Sequence, residues 1–128
     1  MDRSNRRKTI EKQKENLEKL FQLIKENPEL PIIPMVDSEI VADIGYSWWM
    51  GSWGDAEVDK YICTDERIYL KSQEDVDIVE NFVPYEDYMD MSDEELEDYF
   101  ENLPWIEAIM VCINLPEYTL VDPEKGIT

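Results

Sequence analysis

Residues 86–101, EDYMDMSDEELEDYFE, hold the nine carboxylates Glu86, Asp87, Asp90, Asp93, Glu94, Glu95, Glu97, Asp98 and Glu101 and no basic residue. Two carboxylates can hold Mg²⁺ or work as a general acid and base. An array of them can instead copy the charge of a phosphate backbone and enter a cleft built for nucleic acid. The plain alternative is a solvated helix face, since Asp and Glu also favour a helix N-terminus.

The rest of the chain narrows these choices. The 128 residues contain no histidine, which removes the commonest general base near neutral pH and the commonest transition-metal ligand. Ser-His and Cys-His nucleophile pairs are thereby excluded within one chain. Four glycines form neither a phosphate-cradling loop nor a dinucleotide fingerprint, and CxxC and HExxH spacings are absent. With 31 Asp and Glu present, some pairs fall close by chance, so none stands out as catalytic. The expectation is a protein with no catalytic residue, no metal and no cofactor.

Charge alone gives fast, salt-sensitive encounter, whereas lasting affinity comes from a few desolvated aromatic or Arg anchors. The stretch GYSWWMGSWGD, residues 45–55, gathers three of the four tryptophans. In an extended segment Tyr46, Trp48 and Met50 point one way while Ser47, Trp49 and Gly51 point the other. Either both sheet faces are covered or one indole stays outside for a partner. Trp53, beside Gly54 at a predicted turn, is the one expected outside. The candidate partner-binding set is therefore Tyr46, Trp49 and Trp53 with Asp87, Asp90, Glu94, Glu97, Asp98 and Glu101.

These residues need elements to hold them. From Ser4 to Asn27 the apolar residues Ile10, Leu17, Leu20, Phe21 and Ile24 recur at helical spacing, and Pro28 closes the helix. LPIIPMVDSEIV is rich in β-formers but broken by Pro31 and Pro34, which predicts an edge strand whose missing amide donors face outward. YSWWMGSW, AEVDKYICT and ERIYLKS predict a three-stranded antiparallel meander, with turns at Trp53-Gly54-Asp55 and Thr64-Asp65-Glu66. In its middle strand Val58, Lys60 and Ile62 share one face, and the alternation leaves the buried face open.

Two short helices follow. SQEDVDIVENFV aligns Val76, Val79 and Val83 and stops at Pro84. The second has a capping box, Ser92 with Glu95, and a hydrophobic staple, Met91 with Leu96. Its predicted buried face is Leu96, Tyr99, Phe100 and Leu103. Trp105 to Leu115, WIEAIMVCINL, suits a central strand covered on both faces. The expected fold class is α+β, in one domain spanning residues 1–128.

Net charge is −19. Residues 1–28 carry eight Lys and Arg against five Asp and Glu, and residues 29–128 carry four against twenty-six. Such an acidic body repels nucleic acid and anionic membrane and attracts basic surfaces, so direct nucleic-acid binding by it and membrane binding are not expected. No apolar run approaches the ~20 residues of a membrane span, and the basic start lacks a signal-peptide core. Cys63 and Cys112 stand at no metal-binding spacing and read as buried free thiols of a cytoplasmic protein. The basic helix start, Arg3, Arg6, Arg7 and Lys8, is open to three readings: a solvated end, contact with nucleic acid held by a target, or a homodimer contact with another copy's acidic face.

NPELPIIPMVDSEIV, YSWWMGSWG, VDKYICTDERIYLKS, the SDEELE helix and the final WIEAIMVCINLP strand resemble a set of small acidic proteins carried by phages and conjugative elements of Gram-positive bacteria. The resemblance runs from about Lys14 to Pro116 and brings no catalytic residues. It implies an accessory or counter-defence role, because mobile elements encode small acidic proteins that block host nucleases, CRISPR effectors among them. The combined expectation is an inhibitor that occludes the cleft of a basic nucleic-acid-binding protein. The alternative is a non-inhibitory acidic interaction or assembly module.

Overall fold

A computed structural model describes residues 3–41, 45 and 47–116, with side chains from Arg7 onward. The fold is α+β. Helix α1 (Arg3–Glu26) leads to strand β1 (Ile32–Val36), a long strand β2 (Ser52–Cys63), a short strand β3 (Ile68–Leu70), helices α2 (Tyr85–Asp90) and α3 (Asp93–Glu101), and strand β4 (Ile106–Asn114). The strands form one mixed sheet in the order β1-β4-β2-β3. Its contacts gather into two compact units. One holds Met1–Val58 with Ile109–Thr128 and the other holds Asp59–Ala108, so β2 and β4 each pass from one unit to the other.

In the first unit α1 buries Leu20 against Ala56, Ile109 and Val111, with Leu17, Leu23, Ile24 and Leu30 packed around them. The predicted stripe is shifted. Phe21 is 61% exposed and Leu23 takes the inner position, because the helix needs only the wedge centred on Leu20 to cover the sheet. The last turn closes through Asn27, whose backbone N–H donates to the Leu23 carbonyl at 2.9 Å and whose side-chain amide donates to the same oxygen at 3.0 Å.

β1 runs parallel to β4, pairing Ile32 with Ile109 through Val36 with Ile113. The Ile109 N–H donates to the Pro31 carbonyl at 2.9 Å and the Asp37 N–H to the Ile113 carbonyl at 3.0 Å. In a parallel strand both backbone groups of a residue point to one side, so positions 31, 33, 35 and 37 face β4. Pro34 therefore sits where its missing donor would face away from the sheet, as expected of an edge strand. β4 is interior and buries Ala108, Ile109, Met110 and Val111 in succession, which requires cover on both faces.

The meander is not observed as predicted, because β2 runs straight through Trp53-Gly54-Asp55. Gly54 is buried within the strand, where an added Cβ would lie 2.4 Å from Asn114 Nδ2 and 3.0 Å from the Cys112 carbonyl oxygen. The glycine admits the backbone of β4 and does not turn the chain. Residues 47–50 stand in no strand, and the ladder is mixed where an antiparallel sheet was expected. The second predicted turn does form. β2 and β3 pair Tyr61 with Leu70 and Cys63 with Ile68 in antiparallel register, and the Thr64 hydroxyl accepts from the N–H groups of Glu66 and Arg67 at 3.3 and 3.2 Å. The buried residues of β2, Gly54, Ala56 and Ile62, all stand at even positions, while Val58 and Lys60 between them are exposed.

The second unit has its own core of Ile62, Tyr69, Ile78, Val79, Phe100 and Leu103. The predicted helix over 72–83 is instead two 3-10 turns, Lys71–Gln73 and Val76–Asn81, the second capped by the Asp75 carboxylate accepting from the Asp77 N–H at 2.9 Å. Tyr69 meets the Phe82 ring at 5.5 Å, and Phe100 meets Trp105 edge-on at 5.4 Å. The Trp105 indole N–H donates to the Phe100 carbonyl at 2.8 Å, so the end of α3 and the start of β4 are fixed by one aromatic pair. Cys63 and Cys112 are free as expected but exposed, one at the end of β2 and the other two residues before the end of β4.

Substituting Gly54→Ala is expected to cost about 1–3 kcal/mol, the usual range for forcing a methyl group into a packed site. A lowered midpoint of denaturant unfolding, with an unchanged slope, is the expected reading.

Candidate functional site

The acidity is unevenly divided. Asp59–Ala108 holds seventeen Asp and Glu against three Lys and Arg, about −14, while the other unit holds fourteen against nine, about −5. Within the acidic unit, two helices present most of the charge. α2 follows Pro84 and places Glu86 and Asp87 in its first turn. That helix is an element the sequence reading lacks. α3 starts at Ser92, whose hydroxyl accepts from the Glu95 N–H and lies against the Glu95 carboxylate, both at 3.2 Å. Ser92 is the cap expected from sequence, and the Glu95 carboxylate meets its hydroxyl where the capping box would have it meet the Ser92 N–H. Asp93, Glu94 and Glu95 fill the first turn of α3, where its dipole favours negative charge.

Asp87, Asp90, Glu94, Glu97, Asp98 and Glu101 are all exposed. At 100° per residue, Glu94, Glu97, Asp98 and Glu101 share a wedge roughly 100° wide, opposite Leu96 and Phe100, and span about 10 Å of axis. Among the described residues only Glu101 of these takes an ion pair, with Lys71 at 2.6 Å. The Tyr88 hydroxyl is held above its ordinary value, first by desolvation and then by Asp77, Glu80 and Asp75. The negative potential thus extends from the helices onto the 3-10 turn.

An open notch of about 520 Å³ is lined by Glu74, Asp75, Val76, Asp77, Glu97, Phe100 and Glu101. Two cations of the chain show what this surface accepts. Lys71, bound to Glu101, stands 5.9 Å over the Phe100 ring and 6.0 Å over the Trp105 ring. Arg67 pairs with Glu74 and stacks 4.0 Å over Tyr69. Carboxylate plus ring is a setting for a Lys or Arg side chain. Among the described residues no group of three or more His, Cys, Asp or Glu is arranged to hold a metal ion.

Several apolar side chains stay exposed beside the acids. Tyr85 is 69% and Met89 60% exposed one turn apart on α2, and Tyr99, predicted buried, is 39% exposed. The sequence reading missed Tyr85 and Met89, although the i, i+4 spacing on a short acidic helix was the available signal.

Trp48, Trp49 and Trp53 belong to the other unit. Trp49 is 37% and Trp53 42% exposed, and Trp48, at 91%, is the one furthest outside. That corrects the expectation that Trp53 would hold this place. Tyr46 and the side chains of Arg3 and Arg6 lie outside the described residues. The candidate acids and the candidate residues Trp49 and Trp53 thus fall into separate compact units. Trp53 is tied to α1 through its backbone: its N–H donates to Gln13 Oε1 at 3.2 Å and its carbonyl accepts from Asn16 Nδ2 at 2.9 Å. Two residues on, Asp55 accepts from Lys19 Nζ at 2.7 Å. A groove of about 870 Å³ opens there, with Lys8, Lys12, Trp53 and Asn114 on its walls, while Arg7 is exposed away from it. Among the described residues no helix is long and apolar enough to cross a membrane.

Comparison with known protein families, with curated proteins and with solved structures finds no match to this chain.

The Lys19 hydrogen bond, with the Ala56 N–H, holds the Asp55 carboxyl below its ordinary 3.8. A lowered folded value means stability that is present above the unfolded value and lost as pH falls through the folded one. Both side chains are at least half exposed, so Asp55→Asn is expected to cost under about 1 kcal/mol at neutral pH. The difference between wild type and variant in urea titrations should vanish below the lowered Asp55 value.

Proposed function

We propose that the protein is a stoichiometric inhibitor that occludes the cleft of a basic nucleic-acid-binding protein, with no chemistry of its own. The observation that carries this reading is the exposed carboxylate face of α2 and α3, nine acids over residues 86–101 with one ion pair to another described residue. Four charges over about 10 Å of α3 approach the one charge per ~3.4 Å of a single nucleic-acid strand. A cleft that neutralises phosphates with Lys and Arg would meet similar charge here. The target class suggested by the resemblance is a host defence nuclease in the cytoplasm, such as a CRISPR effector.

Specificity needs apolar contact as well. Tyr85, Met89 and Tyr99 stand in the acidic unit itself and are the anchors this reading favours, ahead of Trp49 and Trp53. The exposure of Trp48, Trp49 and Trp53 on the less acidic unit favours a second reading, an interaction or assembly module whose partner meets the indoles.

Salt and competition separate the two. Immobilised protein offered a host lysate at low ionic strength should retain a basic nucleic-acid-binding protein, and added nucleic acid should displace it. Release should steepen as salt rises. Substituting Glu94→Lys with Glu97→Lys should weaken capture by tenfold or more, about 1.4 kcal/mol, while Trp53→Ala leaves it near wild type. Capture that depends on Trp53 and leaves the captured protein's nucleic-acid affinity unchanged would sink the inhibitor and support the module.

A further inference from the structure

Helix α1 has a second face that the fold does not use. Leu17, Leu20 and Ile24 point to the sheet, and Lys8, Lys12 and Lys19 flank the groove beside Trp53. On the other flank Arg7, Ile10, Lys14, Phe21 and Lys25 fall within roughly a 60° wedge at 100° per residue. All five are exposed, Phe21 by 61% and Ile10 by 38%. Among the described residues Arg7, Lys14 and Lys25 take no ion pair. A large ring held in water between cations is an unpartnered surface with a stated charge.

The same chain carries the complementary surface. α2 exposes Tyr85 and Met89 among carboxylates, and Glu94, Glu97 and Asp98 of α3 are unpaired among the described residues. One surface offers cations around an aromatic ring, the other carboxylates around aromatic and thioether groups. Opposite charges steer such faces together, and their apolar centres supply the retention that charge alone does not.

We infer that the outward face of α1 docks on the α2 and α3 face of a second copy of the chain. Phe21 seats against Tyr85 and Met89 of the other copy, with Lys14 and Lys25 against Glu94, Glu97 and Asp98. Each copy has both surfaces, so a two-fold pair closes with two equal contacts, and other geometries give rings or open chains. The inference goes beyond the inhibitor reading and needs no target. It adds a regulation to that reading, because self-association covers the carboxylates that a target would take.

The test is sedimentation velocity of the protein alone at ~50 mM and ~500 mM salt, where the screening length falls several-fold. Association at low salt should weaken by about tenfold or more at high salt. Lys14→Glu with Lys25→Glu, and separately Glu94→Lys with Glu97→Lys, should each weaken it about tenfold. An equimolar mixture of the two variants should associate again, since one contact between them is the wild-type one and the other has its charges exchanged. Phe21→Ser should weaken association while keeping its salt dependence. Circular dichroism and thermal unfolding check that each variant is folded. A wild type that stays monomeric at low salt up to ~200 µM overturns the inference. So does association that the Glu94 and Glu97 substitutions leave unchanged, or a mixture that fails to associate.

Discussion

Repulsion among carboxylates is what the Asp59–Ala108 unit has to withstand. About −14 on fifty residues opposes compaction, and among the described residues no buried polar or charged side chain contributes to the core. The burden therefore falls on apolar packing. Val79 is fully buried, and Phe100 and Trp105 are joined by an edge contact and an indole hydrogen bond. Placement of the charges eases the load. Asp75, Glu86, Asp87, Asp93, Glu94 and Glu95 stand at or next to helix N-termini, where backbone N–H groups offset negative charge. Arg67 and Lys71 each sit between a carboxylate and a ring, so two of the unit's three cations are spent inside the core's rim.

The other unit is held by close approach. Gly54 and Ala56 keep β2 thin where β4 and α1 meet it. Gln13, Asn16 and Lys19, three residues apart on one side of α1, reach Trp53, Trp53 and Asp55 on β2. A helix advances about 4.5 Å over three residues and a strand about 6.7 Å over two, so the side chains bridge the mismatch by their reach. The glycines among the tryptophans are therefore spacing for a neighbouring strand.

How much of this was legible follows from what each signal encodes. The α+β class, α1, the helix cap at Ser92, the Thr64 turn, the edge position of β1 and the interior position of β4 come from periodicity, caps and the missing proline amide, all local properties. Strand direction is not local, and nothing in IIPMV announces that it lies parallel to β4. Gly54 misled because glycine serves a turn and a tight strand contact alike, and only the position of Cys112 and Asn114 decides between them. Tyr99 and Phe21 were misplaced for a related reason: an apolar stripe at 3.6 spacing fixes a helix face only to within a residue. Of the candidate site, the carboxylates were readable as exposed. Their separation from the tryptophans was not, since it depends on how β2 and β4 divide between the two units.

That division bears on what the acids are for. If carboxylates served only to keep the chain dissolved, a net charge of magnitude about 2–8 would suffice for a small domain, with both signs interspersed. The first unit fits that description at about −5 with nine cations among its charges. The second unit departs from it in amount and in arrangement, since residues 86–101 have no cation at all and leave Tyr85 and Met89 in water among the acids. Solubility gives no reason for exposed apolar groups there, while an interface needs both: charge to bring a cationic partner in, and uncharged area to hold it once water is excluded.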